Sequence, residues 1–362
     1  MTTTTNPKTT NPNDAQPYLS GDPYADYRPA TDPAFAKLTE LTDLADRRLG
    51  GAVVAANDEF FAERENLLVP TPAVFDPHHF GHKGKVMDGW ETRRRRGTGA
   101  ATPHPTADDY DWAVIRLGVP GVIHGVLVDT AHFRGNYPQQ VAVEGATSPD
   151  GPWHELVART DARGHAANGF AVADERRFTH LRLRQYPDGG VARLRVYGEP
   201  VPDPAWLELL GSFDLACVVN GASVEGASDR FFSDPANLIS PDFSRKMEDG
   251  WETRRRRDDG HDWAVVRLAA EGEIRALELD TAYYKGNSAG WASVEAYADG
   301  EWREILPRTQ LAPDAPHRFP LAAPARATRL RVNTYPDGGI ARLRAHGTLT
   351  EAGWADLRKR FA

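Results

Sequence analysis

The feature that most constrains this chain is that it repeats itself. The stretch from Asp43 to Leu68, DLADRRLGGAVVAANDEFFAERENLL, returns from Asp214 to Ile239 as DLACVVNGASVEGASDRFFSDPANLI. DGWETRRRR from Asp88 returns from Asp249, DWAVIRL from Asp111 returns as DWAVVRL from Asp262, and YPDGGVARLR from Tyr186 returns as YPDGGIARLR from Tyr335. The order never changes. The spacing of matched aspartates shrinks along the chain, from Asp88/Asp249 through Asp129/Asp280 to Asp188/Asp337, so length changes fall between motifs, where surface loops absorb them. Whole domains were duplicated, and 362 residues suffice for two separate cores.

Within each copy the apolar residues alternate with charged ones. Leu181 and Leu183 stand against Arg182 and Arg184, and Ala192, Leu194 and Val196 against Arg193 and Arg195. That is the period of a strand with one face buried. Gly, Pro, Asn and Asp cluster between these runs, as at Pro187 to Gly190, and favour turns. The expected fold is all-β: two tandem jelly-roll-like β-sandwich domains. Helices are expected only at the periphery, near Phe35 to Leu49, Pro204 to Gly211 and Glu351 to Phe361. The proline-rich stretch from Tyr197 to Trp206 marks the boundary, because consecutive prolines suit neither a sheet interior nor a continuing helix. The organisation expected is a disordered segment over residues 1–34, rich in Thr, Pro and Asn, sandwiches over 35–200 and 204–349, and a short C-terminal helix over 350–362.

Composition removes several function classes. A net charge of −8 argues against general affinity for nucleic acid, though not against a small cationic pocket. No apolar run is long enough to cross a bilayer. Cys217 is the only cysteine, so neither an intramolecular disulfide nor a thiolate zinc cage can form within one chain, and a cytosolic setting fits. No GxGxxG, P-loop, HExxH or GxSxG motif is present.

Three motifs carry residues suited to chemistry. In the first, Asp88 to Arg96 and its copy from Asp249, Glu91 and Arg93 lie two apart, and so do Glu252 and Arg254; in an extended strand each pair emerges on one face. Arg offers a planar fork for a carboxylate or ureido carbonyl, and a carboxylate can move a proton. Trp90 and Trp251 suit a core better than a ligand platform. The second motif runs from Asp129 to Tyr137 and holds His132, which could titrate near neutrality, and Asn136; its copy has Tyr283 and Asn287, with a histidine, His261, just before Asp262 instead. The third is the Pro-Asp-Gly-Gly turn, with Asp188 and Arg193 in one copy and Asp337 and Arg342 in the other. His78, His79 and His82 look like a metal cluster, but the matching stretch from Pro241 has no histidine. No cofactor is evident, and metal dependence stays open.

Taken together, MDGWETRRRR, GHDW, DTAHFRGNYPQ, YPDGGVARLR and the leading LGG, NDEFF and ENLL words resemble the motifs of allantoicases, in that family's order, from Phe35 to about Gly347. The resemblance implies paired jelly-roll domains akin to galactose-binding domains, and an activity converting allantoate and water to ureidoglycolate and urea, in purine breakdown. Such a substrate carries one carboxylate and two ureido arms on one carbon, so its pocket needs a bidentate cation with donors and acceptors around it. The residues suit Arg93 for the carboxylate, Glu91 or Asp88 as base, His132 as acid and Asn136 for a ureido arm. Asp249, Glu252, Arg254, His261 and Asn287 form the set in the second copy, and Asp188, Arg193, Asp337 and Arg342 are further binding candidates. Whether the chain has two sites, one, or one shared between copies is open, as is assembly into a homo-oligomer. The rival readings are a non-catalytic tandem module binding a small acid or sugar, and a different ureide or amidine hydrolase.

Overall fold

The computed structural model describes residues 11–97 and 102–362. The chain divides into two compact units, one holding residues up to Gly118 with Ile123–Gly198, the other Val119–Val122 with Glu199–Ala362. In each, one long strand serves two layers. In the second unit this is Asp262–Asp280: residues 262–267 pair with 329–334 and 223–227, and after a shift in register residues 272–280 pair with 342–349 and 316–327. In the first unit Asp111–Asp129 pairs near its start with Ala52–Ala56 and at its end with Ala167–Ala171. Its sheet runs in the order Thr42–Asp43, Arg193–Pro200, Asp111–Asp129, Arg177–Tyr186, Gln140–Ala146, His154–Asp161.

The alternation read from sequence is the burial pattern observed. Leu181 and Leu183 are fully buried while Arg182 and Arg184 stay partly exposed, and Ile115 and Val141 join the leucines inside. Each buried aliphatic side chain contributes about 1.5–3 kcal/mol, so the two apolar faces hold the layers together. The architecture is the expected pair of β-sandwiches.

Three expectations need correction. The helix near Phe35 to Leu49 breaks up: Pro33–Leu38 is helical, Thr42–Asp43 is an edge strand on residues 197 and 198, and Arg47–Leu49 is a single tight turn ended by Gly50 at φ 98°. Asp43 and Asp46 cause this by accepting from the backbone N–H groups of Ala45 and Arg48, which a continuing helix would leave to carbonyls. The strand expected through DGWETRRRR is only Trp90–Glu91, and Trp251–Glu252 in the copy.

The third concerns the lead-in. Residues 1–10 lie outside the described residues, but residues 11–34 are held on the first unit. Tyr137 donates to Asp14 at 2.8 Å, Arg134 to Asp26 at 2.7 Å and Tyr27 to Asp129 at 3.0 Å. Tyr18 packs edge-on against Phe75, and Tyr24 against His132. Three tyrosines outweigh the polar composition that suggested disorder, because each supplies apolar area and a polar handle. At the other end Glu351–Phe361 is a helix capped by Thr350. Among the described residues no helix is long and apolar enough to cross a membrane.

Candidate active site

The three motifs meet at one place in each unit. Trp90–Glu91 pairs with Gly190–Val191, and Trp251–Glu252 with Gly339–Ile340. Trp90 is fully buried, its indole N–H donating to the Asp58 carbonyl at 2.8 Å; Trp251 does the same with Asp229 at 2.9 Å. The ring of Phe133, from the second motif, fills the space beside Gly190, where a Cβ would come within 2.0 Å of it. Tyr284 takes this place beside Gly339, where a Cβ would come within 2.3 Å of its ring. The Gly-Gly pairs are therefore required by an aromatic ring from another motif as much as by the turn. Both following turns are fixed alike: Gly189 donates to Thr92 Oγ1 at 3.2 Å and Gly338 to Thr253 Oγ1 at 3.1 Å.

Above this frame the first unit has a cavity of about 1030 Å³. Glu91, Asn136 and Asp188 line it. Asn136 Nδ2 donates to Glu91 Oε1 at 2.8 Å, and the Arg95 N–H donates to Asp188 Oδ2 at 2.6 Å. Burial raises the pKa of Glu91, opposed by the Asn136 hydrogen bond and by Arg94. Burial also raises that of Asp188, opposed first by the Arg95 N–H. Arg94 lines the cavity and acts on both carboxylates, yet makes no hydrogen bond or ion pair with any described residue.

The arginine expected to grip a carboxylate is placed elsewhere. Arg93 is outside the cavity, 66% exposed, with Nε on Asp58 at 2.8 Å and its plane over Phe60. The strand ends at Glu91, so the two-residue alternation that paired Arg93 with Glu91 does not continue. Arg254 sits at the edge of the corresponding hollow, but Asp229 holds it at 2.7 Å. Arg95 is taken as well, by Asp111 at 2.7 Å, and Arg256 by Asp262 at 2.9 Å. Arg94 in the first run, and Arg255 and Arg257 in the second, combine a cavity position with freedom from any hydrogen-bond or ion-pair partner among the described residues.

Four further candidates are parts of the frame. Arg193 is 3% exposed and donates to the carbonyls of Thr71 and Ala192 and to Asp88 Oδ2 at 2.8 Å, so Asp88 and Arg193 satisfy each other beneath the cavity. Arg342 does the same with the carbonyls of Asp242 and Ala341 and with Asp242 Oδ1 at 3.0 Å, while Asp249 contributes its carbonyl and accepts from the Arg245 N–H. A buried guanidinium with this many acceptors is an anchor. His261 is exposed beside Tyr335 and does not reach the second hollow.

His132 does line the first cavity. It is buried at φ 68°, stacked on Phe75, with Nε2 3.2 Å from the Ala73 carbonyl. Burial lowers its pKa, with Arg134 acting the same way. It is therefore neutral near pH 7, and with Nε2–H facing Ala73 its buried Nδ1 is an acceptor with no partner. That suits accepting a ligand N–H better than serving as a general acid.

In the second unit Asn287 Nδ2 donates to Glu252 Oε1 at 2.7 Å and the Arg256 N–H to Asp337 Oδ2 at 2.8 Å, repeating the first unit's pattern. The hollow is smaller, about 510 Å³.

The family model for the allantoicase repeat matches residues 42–201 and 213–350. A probable allantoicase of Streptomyces avermitilis is 62% identical over 361 residues, covering 96% of this chain and 95% of the relative. One from Nocardia farcinica is 52% identical, covering 86% and 95%. The chain belongs to the allantoicase family. The crystal structure of the Saccharomyces cerevisiae allantoicase is similar throughout, with TM-score 0.74 and 33% identity over 87% of this chain and 98% of that one.

For this allantoicase-family chain, sequence reasoning missed the surroundings of the first cavity. Lys83 and Lys85 line it from a short hairpin, Phe80–Gly81 with Gly84–Lys85, which the second copy lacks, and Ala15, Pro17 and Tyr18 line it from the N-terminal segment. The absence of FGHKGK from the second copy was the available signal. His78, His79 and His82 are exposed, and among the described residues no group of three or more His, Cys, Asp or Glu side chains is gathered to hold a metal ion.

Proposed function

We propose that the chain hydrolyses allantoate to ureidoglycolate and urea, and that the Glu91 cavity of the first unit is where it does so. Family membership along nearly the whole chain carries the activity. The placement is supported by a desolvated carboxylate, a side-chain amide and an unpartnered guanidinium facing one cavity. Arg94 receives the substrate carboxylate in its planar fork. Asn136, held by Glu91, presents its remaining amide groups to one ureido arm, and His132 Nδ1 accepts from the other arm.

Glu91 is the proton carrier. As carboxylate it takes the N–H proton of the ureido arm that stays, and passes it to the nitrogen of the arm that leaves. The C–N bond to that arm breaks, neutral urea departs, and the central carbon becomes an acyl imine. Glu91 then takes a proton from water as the oxygen adds to this carbon, and returns it to the imine nitrogen, giving ureidoglycolate. Asp188, fixed by the Arg95 N–H, is a second carboxylate in the cavity lining, whose charge the nearby Arg94 offsets. A reducing cytosolic setting suits a chain whose single cysteine is buried.

The test is incubation with allantoate and a urea assay. Urea release is expected, with little turnover of allantoin, whose closed ring lacks the free carboxylate. No urea from allantoate across pH and added divalent ions would overturn the reading.

A further inference from the structure

The second unit keeps the ligand-holding half of the site and lacks the rest. Glu252 and Asn287 are joined as Glu91 and Asn136 are, Asp337 is fixed by the Arg256 N–H, and Arg255 faces the hollow without a hydrogen bond or ion pair to any described residue. What differs is the far wall. Tyr283 stands where the first unit has His132; it is exposed and lines a neighbouring hollow of about 430 Å³ instead. Its backbone N–H donates to Asp314, whereas that of His132 donates to His165. The hairpin that brings Lys83 and Lys85 has no counterpart, since the chain runs directly from Asp242 to Met247. Met247 Sδ lies 3.5 Å from Asn287 Nδ2, and Asn287 borders both hollows, so the space that is continuous in the first unit is divided here.

We infer that the Glu252 hollow is a second ligand site, for a small carboxylate bearing a single ureido arm, and that it binds this ligand without turning it over. Arg255 supplies one fork for the carboxylate, and the Glu252–Asn287 pair supplies acceptor and donor for one ureido group. A second ureido arm would need the wall that His132 and the hairpin build in the first unit. The ligand described by these groups has the chemistry of the reaction's organic product, which keeps the carboxylate and one arm. The inference rests on the reading that the Glu91 cavity is the working one.

Calorimetric titration of the full chain with N-carbamoylglycine tests this, since that compound is stable and has the carboxylate and one arm but no second urea to lose. The expected result is two sites per chain in the parent. Arg255→Ala and, separately, Asn287→Ala should each weaken one of them by roughly tenfold or more, the scale of losing a charge-assisted hydrogen bond. Arg94→Ala should weaken the other and leave this one within about twofold. Arg255 is exposed and Asn287 is half-buried outside the apolar core, so both variants are expected to fold. A single site untouched by both changes overturns the inference. So does a loss of urea release in Arg255→Ala as deep as in Arg94→Ala, because both hollows would then turn over substrate. If the parent releases no urea from allantoate, the activity reading fails while the titration still decides whether the second site exists.

Discussion

The two units share a frame and differ at its rim. The frame is the buried tryptophan, the aromatic ring against the Gly-Gly turn, the threonine holding that turn and the arginine saturated by backbone carbonyls; both copies have all four. The rim is where the first unit adds the N-terminal segment and the Lys83–Lys85 hairpin, while the second leaves Phe231, Phe232, Phe243 and Tyr283 exposed. A duplicated sandwich thus keeps a rigid platform twice and is specialised by segments that are not part of the layers, which is where loops can change without disturbing a core.

The largest effect expected from this comparison is at the paired glutamates. Glu91→Gln keeps the shape and removes the proton carrier, so kcat for urea release should fall by a factor on the order of 10²–10⁴, the usual range for a general acid–base group. Glu252→Gln should change it by less than about tenfold. A matching pH profile follows from the direction of the Glu91 shift. The reaction starts from the carboxylate, whose pKa burial has raised, so kcat/KM should decline as pH drops through a value above that of an ordinary glutamate. Equal losses in the two variants would mean that both cavities work.

The next effect is on stability. Arg193→Ala removes the donor to several carbonyls and the cation beside Asp88, which keeps only the Val74 N–H and is 29% exposed, so a loss of about 2–4 kcal/mol is expected in denaturant unfolding monitored on the full chain. Arg342→Ala should cost less, because its carboxylate partner Asp242 is 41% exposed and regains water more readily. The reverse order would mean that the second frame depends on this anchor more than the first.

The fold was legible because its signals are periodic. Alternation at Leu181 to Arg184 and the repeated motif words need no knowledge of contacts. The site was legible only where a motif coincides with a turn: Glu91, Asn136 and Asp188 could be picked from their chemistry, and they do come together. Arg93 could not be told from Arg94, because the strand stops at Glu91 and the choice is made by Asp58, thirty-five positions away in sequence. Arg193 and Asp88 carry functional-looking side chains that the backbone consumes, and nothing local distinguishes a guanidinium bound to carbonyls from one awaiting a ligand. Tyr18 was hidden by averaging over a polar segment, whereas its role comes from one aromatic contact with Phe75.

The smallest effect is expected at the matched cations Arg134 and Lys285, and it isolates the N-terminal segment. Arg134 is 11% exposed and ties that segment down, donating to Asp26 and to the carbonyls of Gln16 at 2.9 Å and Pro23 at 3.1 Å. Lys285 is 78% exposed and only approaches Asp314 at 3.7 Å. Arg134→Ala frees the stretch that carries Ala15, Pro17 and Tyr18 to the first cavity, without touching Glu91, Asn136 or Arg94. The proton-transfer groups stay in place and a wall is loosened, so KM for allantoate should rise severalfold, by roughly three to ten times, with kcat changed less. Lys285→Ala should leave both constants within about twofold, since an exposed ion pair of that length contributes little. Truncation of residues 1–31 should reproduce the KM change of Arg134→Ala, and combining the two should add nothing, because both remove the same wall. If truncation instead lowers kcat with KM unchanged, the segment acts on the reacting groups themselves, and the contact of Tyr24 with His132 is the place where it does so.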